Sequence, residues 1–299
     1  MASIPVDENT FEKMAYNTCK TAIIGVAEDC LKLLEYYLEK ERNNRAAKIL
    51  ETMIENAKLA EKAGKTPCQS PGYPVVYIIL GKGYTLNLDL KKVLSSIMQR
   101  ITEEGYLRPS IVHPLTRKNT GRNVGVNVPD IEILHDHSLE YMEVIFSFKG
   151  CGAELFNTCK VFTPAEIGLN GEGVKRFILE TVIRAGGGPC PPCAIGVGIG
   201  GQMHQAAKLS RKAISIRRWD DINPEPELAS LERELSEKIN MLGIGPAGIG
   251  GDTTCLAVKV EWAYTHTAIL PVVVNFHCWV ARRARARMHP DGRIEILKW

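Results

Sequence analysis

The most apolar stretches of this chain, Pro74–Leu80 and Ala268–Val274, are no longer than a buried strand. A membrane-spanning helix needs about 20 consecutive apolar residues. Neither run therefore reads as a span, and both suit strands covered on two faces. Helical and strand-like segments alternate around them. Residues 10–62 read as two or three helices, because Ile23, Val26, Ala27, Cys30, Leu31 and Leu34 recur at helical spacing. A loop over Thr66–Gly72 leads into a strand at Tyr73–Leu80, and a helix follows at Leu88–Glu104.

Residues 107–128 are polar, basic and irregular, the pattern of a functional loop. Ile131–Phe148 suits a hairpin turning near Asp136-His137-Ser138. Beyond it come a helix in Thr163–Ala185, a short strand at Ala194–Val197, and helices at Gln202–Ser215 and Leu228–Leu242. Strands at 255–262 and 268–274 and a terminal hairpin around Pro290-Asp291-Gly292 complete the pattern. The expected fold is mixed α/β (α+β): mixed sheets flanked by helices, with a helical N-terminal segment, in a single domain over 1–299.

Hydrophobic residues make up 45% of the chain, enough for a substantial core, which argues against disorder. A formal net charge of +3 is too small to indicate a nucleic-acid partner. The polar, acidic N-terminus does not resemble a signal peptide, so cytoplasm is the expected compartment. In a reducing compartment most of the nine cysteines should be small buried hydrophobes, the exceptions being metal ligands or nucleophiles.

Several motifs compete for a functional reading. Gly196-Val-Gly198-Ile-Gly200-Gly201 matches the dinucleotide pattern, with Asp220 at a suitable distance for a ribose. A second match at Gly243–Gly248 follows a charged helix, where that fold rule does not apply, so tight turns explain both as well. Cys190-Pro-Pro-Cys193 is a lone CxxC without the second pair that structural zinc requires. The basic run Arg282–Arg287 suits a solvated strand edge or subunit contact, or else a funnel for an anionic substrate.

Eight separated blocks, taken in order, resemble one family: Pro67-Cys68-Gln69, Leu107-Arg108-Pro-Ser, Pro114–Gly121, Lys149–Gly152, Cys190–Pro192, Gly196–Gly201, Leu242–Pro246 and Asn275–Trp279. They are similar to the alpha subunit of class I fumarases and L-tartrate dehydratases. The resemblance implies an iron–sulfur hydro-lyase subunit working on a small dicarboxylate, fumarate/malate first and tartrate or a related 2-hydroxy dicarboxylate next. It implies a [4Fe–4S] cluster on Cys68, Cys190 and Cys278, leaving Cys193 as packing. Such gaps are far longer than compact ferredoxin runs, so spacing alone would not find the trio.

By the same resemblance Arg108 grips a substrate carboxylate, and His266 contacts substrate or handles a proton on the hydroxyl side. Gln69, Ser70, Gly150, Cys151 and Gly152 line the pocket, and Asn119 and Thr120 order the adjacent loop. Ser70 stands where the family has Asp in C-Q-D-T-G, and Cys151 stands where glycine is common. The implied partner is a small beta-type subunit that supplies the base, within a heteromer in which this chain also forms a homodimer; neither nucleic acid nor membrane is implied. Two rival readings remain open: a nucleotide-binding oxidoreductase built on residues 196–201, and a cluster-bearing homologue without activity.

Overall fold

The computed structural model describes residues 3–70 and 72–299. The first half of the chain holds β1 (Ile4–Val6), α1 (Glu8–Ile23), α2 (Glu28–Lys40), α3 (Asn44–Lys62), β2 (Tyr73–Leu80), β3 (Tyr84–Leu86), α4 (Leu90–Glu103), β4 (Asp130–His135) and β5 (Met142–Lys149). The middle holds α5 (Cys151–Glu154), β6 (Thr158–Phe162), α6 (Pro164–Ile167), α7 (Glu172–Ala185), β7 (Cys193–Gly200) and α8 (Met203–Ser215). The last part holds α9 (Pro226–Asn240), β8 (Cys255–Ala263), β9 (Leu270–His277), β10 (Arg282–Met288) and β11 (Ile294–Leu297). The fold is thus mixed α and β, as the pattern implies. No described helix is long and apolar enough to cross a membrane.

The chain forms two compact units. Unit 1 comprises Met1–Glu28, Asn56–Lys149 and Val280–Trp299; unit 2 comprises Asp29–Glu55 and Gly150–Trp279.

Unit 1 is built on a five-stranded sheet in the order β11-β10-β5-β2-β4. Helix α1 is capped by Asp7, whose carboxylate accepts from the Asn9 and Thr10 N–H groups. Its apolar stripe, with Phe11, Met14, Ala15 and Cys19, packs in one core with Val76 and Ile78 of β2, Phe146 and Phe148 of β5, and Ala284 and Ala286 of β10. The terminal hairpin forms as expected, with β10 and β11 antiparallel.

Two expectations are corrected here. Residues 131–148 do not form a hairpin: β2 lies between β4 and β5, parallel to the first and antiparallel to the second. The Asp136 turn is real, since Asp136 Oδ1 accepts from the Ser138 N–H at 2.9 Å, but a turn signal does not name the strand's partner. The basic run is not a solvated edge either. It is the inner strand β10, with Arg282 and Arg283 fully buried. The Arg/Ala alternation over 283–287 sends Ala284 and Ala286 into the core. Buried Glu143 accepts from Arg285 at 3.2 Å and Arg287 at 3.0 Å, while the Arg283 and Arg285 guanidinium groups lie over Trp299.

Unit 2 carries a four-stranded sheet in the order β6-β9-β7-β8. Strand β7 is central, parallel to β8 and antiparallel to β9, and α8 packs on it. Two glycines of the dinucleotide-like motif find their explanation in that packing. A Cβ on Gly196 would run into the Ser210 carbonyl, and one on Gly198 into the Ala206 carbonyl, both on α8. Glycine is needed here so that strand and helix backbones can approach, and the strand is eight residues long rather than the four expected.

That close approach is testable. Gly198→Ala should destabilise the chain by about 2 kcal/mol or more, because the clash is with backbone that cannot rotate away. Urea unfolding of the purified variant would measure it, and an unchanged midpoint would contradict the packing described.

Candidate active site

Strand register gathers part of the expected site in unit 1. Tyr73 at the start of β2 pairs with Lys149 at the end of β5, and Phe148 pairs with Arg282 at the start of β10. Val75 pairs with Asp130 at the start of β4. The loops opening β2 and β4 therefore come to the same end of the sheet. The first carries Cys68, Gln69 and Ser70; the second carries Arg108, Asn119 and Thr120. An open pocket of about 490 Å³ is lined by residues 65–69 and 104–106.

The half-buried Cys68 receives the Ser70 N–H at 3.5 Å and directs its thiol to Gln69 Oε1 at 3.7 Å. An N–H aimed at sulfur is the kind of contact that surrounds metal-bound thiolates. The Cys68 carbonyl accepts from Arg282 Nη1 at 3.4 Å, and Asn56 holds the preceding Pro67 carbonyl at 2.9 Å. Arg108, Asn119 and Thr120 are exposed. Asn119 Oδ1 accepts from the Gly121 N–H at 2.7 Å, and the Thr120 N–H donates to Ile111 at 3.0 Å, so both order their own loop.

Unit 2 gathers the remaining cysteines. Ala194 in β7 pairs with His277 in β9, so the residues before β7 and those after β9 share one end of the sheet. Cys190 and Cys278 are those residues. The two members of the CxxC differ sharply. Cys190 is exposed, in a left-handed turn with φ 59° that a non-glycine residue rarely adopts. Cys193 is buried, its thiol donating to the Pro189 carbonyl at 3.5 Å and its N–H to Thr254 at 3.1 Å. Cys278 is buried at the strand end, and its carbonyl lies 2.9 Å from His277 Nδ1.

The neighbouring loop, 243–254, is braced from three sides. The Ala247 N–H donates to Pro191 at 2.8 Å. Asn240 Oδ1 accepts from the Thr254 and Cys255 N–H groups, each at 2.8 Å, and the Glu41 carboxylate accepts from Asp252 and Thr253. Gly150, Cys151 and Gly152 open α5 at this same end, since Thr158 pairs with Val274 and Asn157 Oδ1 accepts from the Phe276 N–H at 3.0 Å.

His266 is not brought there. It sits in the turn before β9, its Nδ1 accepting from the Ala268 N–H at 3.2 Å. Strand β9 is eight residues long, which at about 3.3 Å per residue makes roughly 26 Å. His266 and Cys278 therefore occupy opposite ends of one strand. Nothing in the local sequence of Glu41 or Asn240 marks a side chain that braces a distant loop, and the charge of the 282–287 run gives no sign that Arg282 reaches the Cys68 carbonyl.

Among the described residues, no three His, Cys, Asp or Glu side chains are already gathered as a metal-binding group. Within unit 1 an N–H is directed at the Cys68 sulfur, and within unit 2 strand register puts Cys190 and Cys278 at one sheet end; thiols of this kind are the donors that iron–sulfur clusters take.

The family described as fumarate hydratase (Fumerase) matches residues 12–287, a span that runs through both units and includes all three cysteines. The chain belongs to the fumarate hydratase family. It is 42% identical over 279 residues to a putative L(+)-tartrate dehydratase subunit alpha of Methanocaldococcus jannaschii, covering 92% of this chain and 96% of that one. It is 32% identical over 281 residues to the L(+)-tartrate dehydratase subunit alpha of Escherichia coli, covering 93% and 91%. A putative fumarate hydratase class I of Geobacillus stearothermophilus is 34% identical over 268 residues; the match covers 87% of this chain but 51% of that relative.

The cysteine environments predict reactivity. In the chain without metal, a brief maleimide pulse should label Cys190 at least about tenfold faster than Cys193 or Cys255, since exposure and thiolate access govern the rate. Burial pushes the Cys255 thiol up to about 12. Peptide mass spectrometry would read the ratio, and equal labelling of Cys190 and Cys193 would contradict the turn described.

Proposed function

We propose that this fumarate hydratase family chain is the iron–sulfur subunit of a cytoplasmic hydro-lyase for a small dicarboxylate, with a [4Fe–4S] cluster on Cys68, Cys190 and Cys278. The observation that carries the reading is the sorting of the CxxC pair: the exposed left-handed turn belongs to Cys190, the packed position to Cys193. Both units are read as one catalytic domain, because the family match runs through both. Fumarate/malate and tartrate are the substrates to assay, the second favoured by the names of the two relatives matched over most of their length.

When bound, a cluster held by three thiolates supplies one iron as a Lewis acid for substrate hydroxyl and carboxylate. The chain's own residues bind and orient. The planar Arg108 fork suits bidentate contact with a carboxylate. Gln69 and Ser70 supply neutral polar contacts beside Cys68, the hydroxyl of Ser70 replacing a charge that the family pattern carries as Asp. Backbone N–H groups at Gly150–Gly152 stabilise developing carboxylate charge, beside the Cys151 side chain, and Asn119 and Thr120 hold the Arg108 loop. A small beta-type subunit supplies the base. His266 acts from a second copy of this chain, since its own strand carries it away from Cys278.

Anaerobic reconstitution tests the ligand set. Cys68→Ser, Cys190→Ser and Cys278→Ser should each lose the brown chromophore and its iron, and Cys193→Ser should retain both. Equal loss in Cys193→Ser would mean that the wrong member of the pair is assigned. Hydration of fumarate or dehydration of tartrate should appear on addition of the partner subunit; full activity from this chain alone would refute the division of labour, and none with the partner would favour a cluster-bearing non-catalytic homologue.

The placement of His266 has its own test. Co-expressed His266→Asn and Cys278→Ser chains should recover about a quarter of wild-type turnover per chain when each alone is inactive, as random pairing in a two-fold dimer expects. No recovery would remove His266 from the site.

A further inference from the structure

The loop from α4 to β4 carries Arg108 on an exposed, irregular segment, where a long side chain on mobile backbone would bind a carboxylate poorly. One buried side chain counters that mobility. Asn123 is 3% exposed, although it lies in the middle of this loop. Its Oδ1 accepts from the Ser110 N–H at 2.9 Å, and its Nδ2 donates to the Arg108 carbonyl at 3.1 Å. The amide thus grips the backbone on both sides of Pro109, as a neighbouring strand would.

The orientation of the amide is forced. Nδ2 also donates to Thr102 Oγ1 at 3.1 Å, and that hydroxyl directs its own proton to the Met98 carbonyl of α4 at 2.7 Å, with the Arg122 carbonyl of the loop at 3.3 Å. A flipped amide would set an oxygen against the Arg108 carbonyl and an N–H against the Ser110 N–H. The clamp therefore ties the loop to a buried residue of a regular helix, Thr102 being 8% exposed.

The residue type follows from two demands. Asn123 has φ 54°, in the left-handed region that Asn and Gly tolerate best. The contacts require one donor and one acceptor on a short side chain. Asp lacks the donor, Gly lacks the side chain, and Gln adds a methylene. Asn alone meets both.

We propose that Asn123 is a positioning residue that holds Arg108 for carboxylate binding, acting through the backbone of residues 108–110. The inference rests on the reading of Arg108 given under Proposed function.

Two measurements on the cluster-loaded chain with its partner subunit separate the claims. Asn123→Gly keeps the backbone conformation and removes the clamp; Thr102→Val removes its anchor with little change of shape. In both, hydrogen exchange at the Ser110 amide should accelerate by about tenfold or more, while the α4 amides are unaffected. The KM for the dicarboxylate should rise by about tenfold, with kcat falling less, the size expected for one lost orienting interaction. In a cycle with Arg108→Ala, the double variant should be no worse than Arg108→Ala alone. A raised KM in Arg108→Ala combined with an additive penalty from Asn123→Gly would overturn the positioning role alone. Unchanged exchange at Ser110 would do the same. An unchanged KM in Arg108→Ala would sink the carboxylate reading itself, and this inference with it.

Discussion

The pairing of β7 with β9, Ala194 opposite His277 and Ile199 opposite Val272, sets which loops share an end of the unit 2 sheet. Antiparallel register brings the residue before one strand and the residue after the other to a common end, and so delivers Cys190 and Cys278 together. The same register sends the β8–β9 turn, with His266, to the far end. It also seats β7 under α8, where Gly196 and Gly198 leave room for the helix backbone. A one-residue slip would reverse the facing of every side chain on the strand, so the cysteine pair and the glycine packing depend on one alignment.

Unit 1 solves a different problem. Its inner strand β10 carries consecutive arginines into the interior, and bare burial of cations is costly. Glu143 and the Trp299 ring meet the guanidinium groups of one face, and the alanines of the other face pack against apolar side chains. Arg282, at the start of that strand, reaches the carbonyl of Cys68. The arginine-rich strand is thus both a structural element and a brace for the loop that carries a proposed ligand. The bracing of loops by polar side chains recurs: the half-buried Glu41 and Asn240 do it around 252–255, and the buried Asn123 does it around Arg108. In each case one or two side chains satisfy several backbone groups that an irregular loop would otherwise leave to water.

Much of the secondary structure was legible. Tyr73–Leu80 is a strand over the range its composition implies, the helices at residues 10–62 and 88–104 lie where periodicity places them, and the terminal hairpin forms around Pro290–Gly292. The failures share a cause. Asp136–Ser138 is a genuine turn, yet β4 pairs with β2 rather than β5, because local turn chemistry carries no information about which distant strand supplies the hydrogen bonds. The four arginines of 282–287 read as exposed because charge predicts solvent in the absence of partners, and their partners, Glu143 and Trp299, are far off in sequence or at the chain's end. The Gly196–Gly201 pattern matched a phosphate loop, but a glycine that admits a phosphate and one that admits a helix backbone are identical in sequence.

Sequence alone established the mixed architecture, the absence of a long apolar span, and the ordered blocks that place the chain in its family, since these depend on local periodicity and on residue identity. Tertiary structure alone decided that Cys190 sits in a left-handed turn while Cys193 donates to the Pro189 carbonyl, that His266 and Cys278 stand at opposite ends of a strand, and that Asn123 holds the backbone beside Arg108. Those outcomes follow from strand register and from buried hydrogen bonds between residues distant in the chain, which no local pattern records.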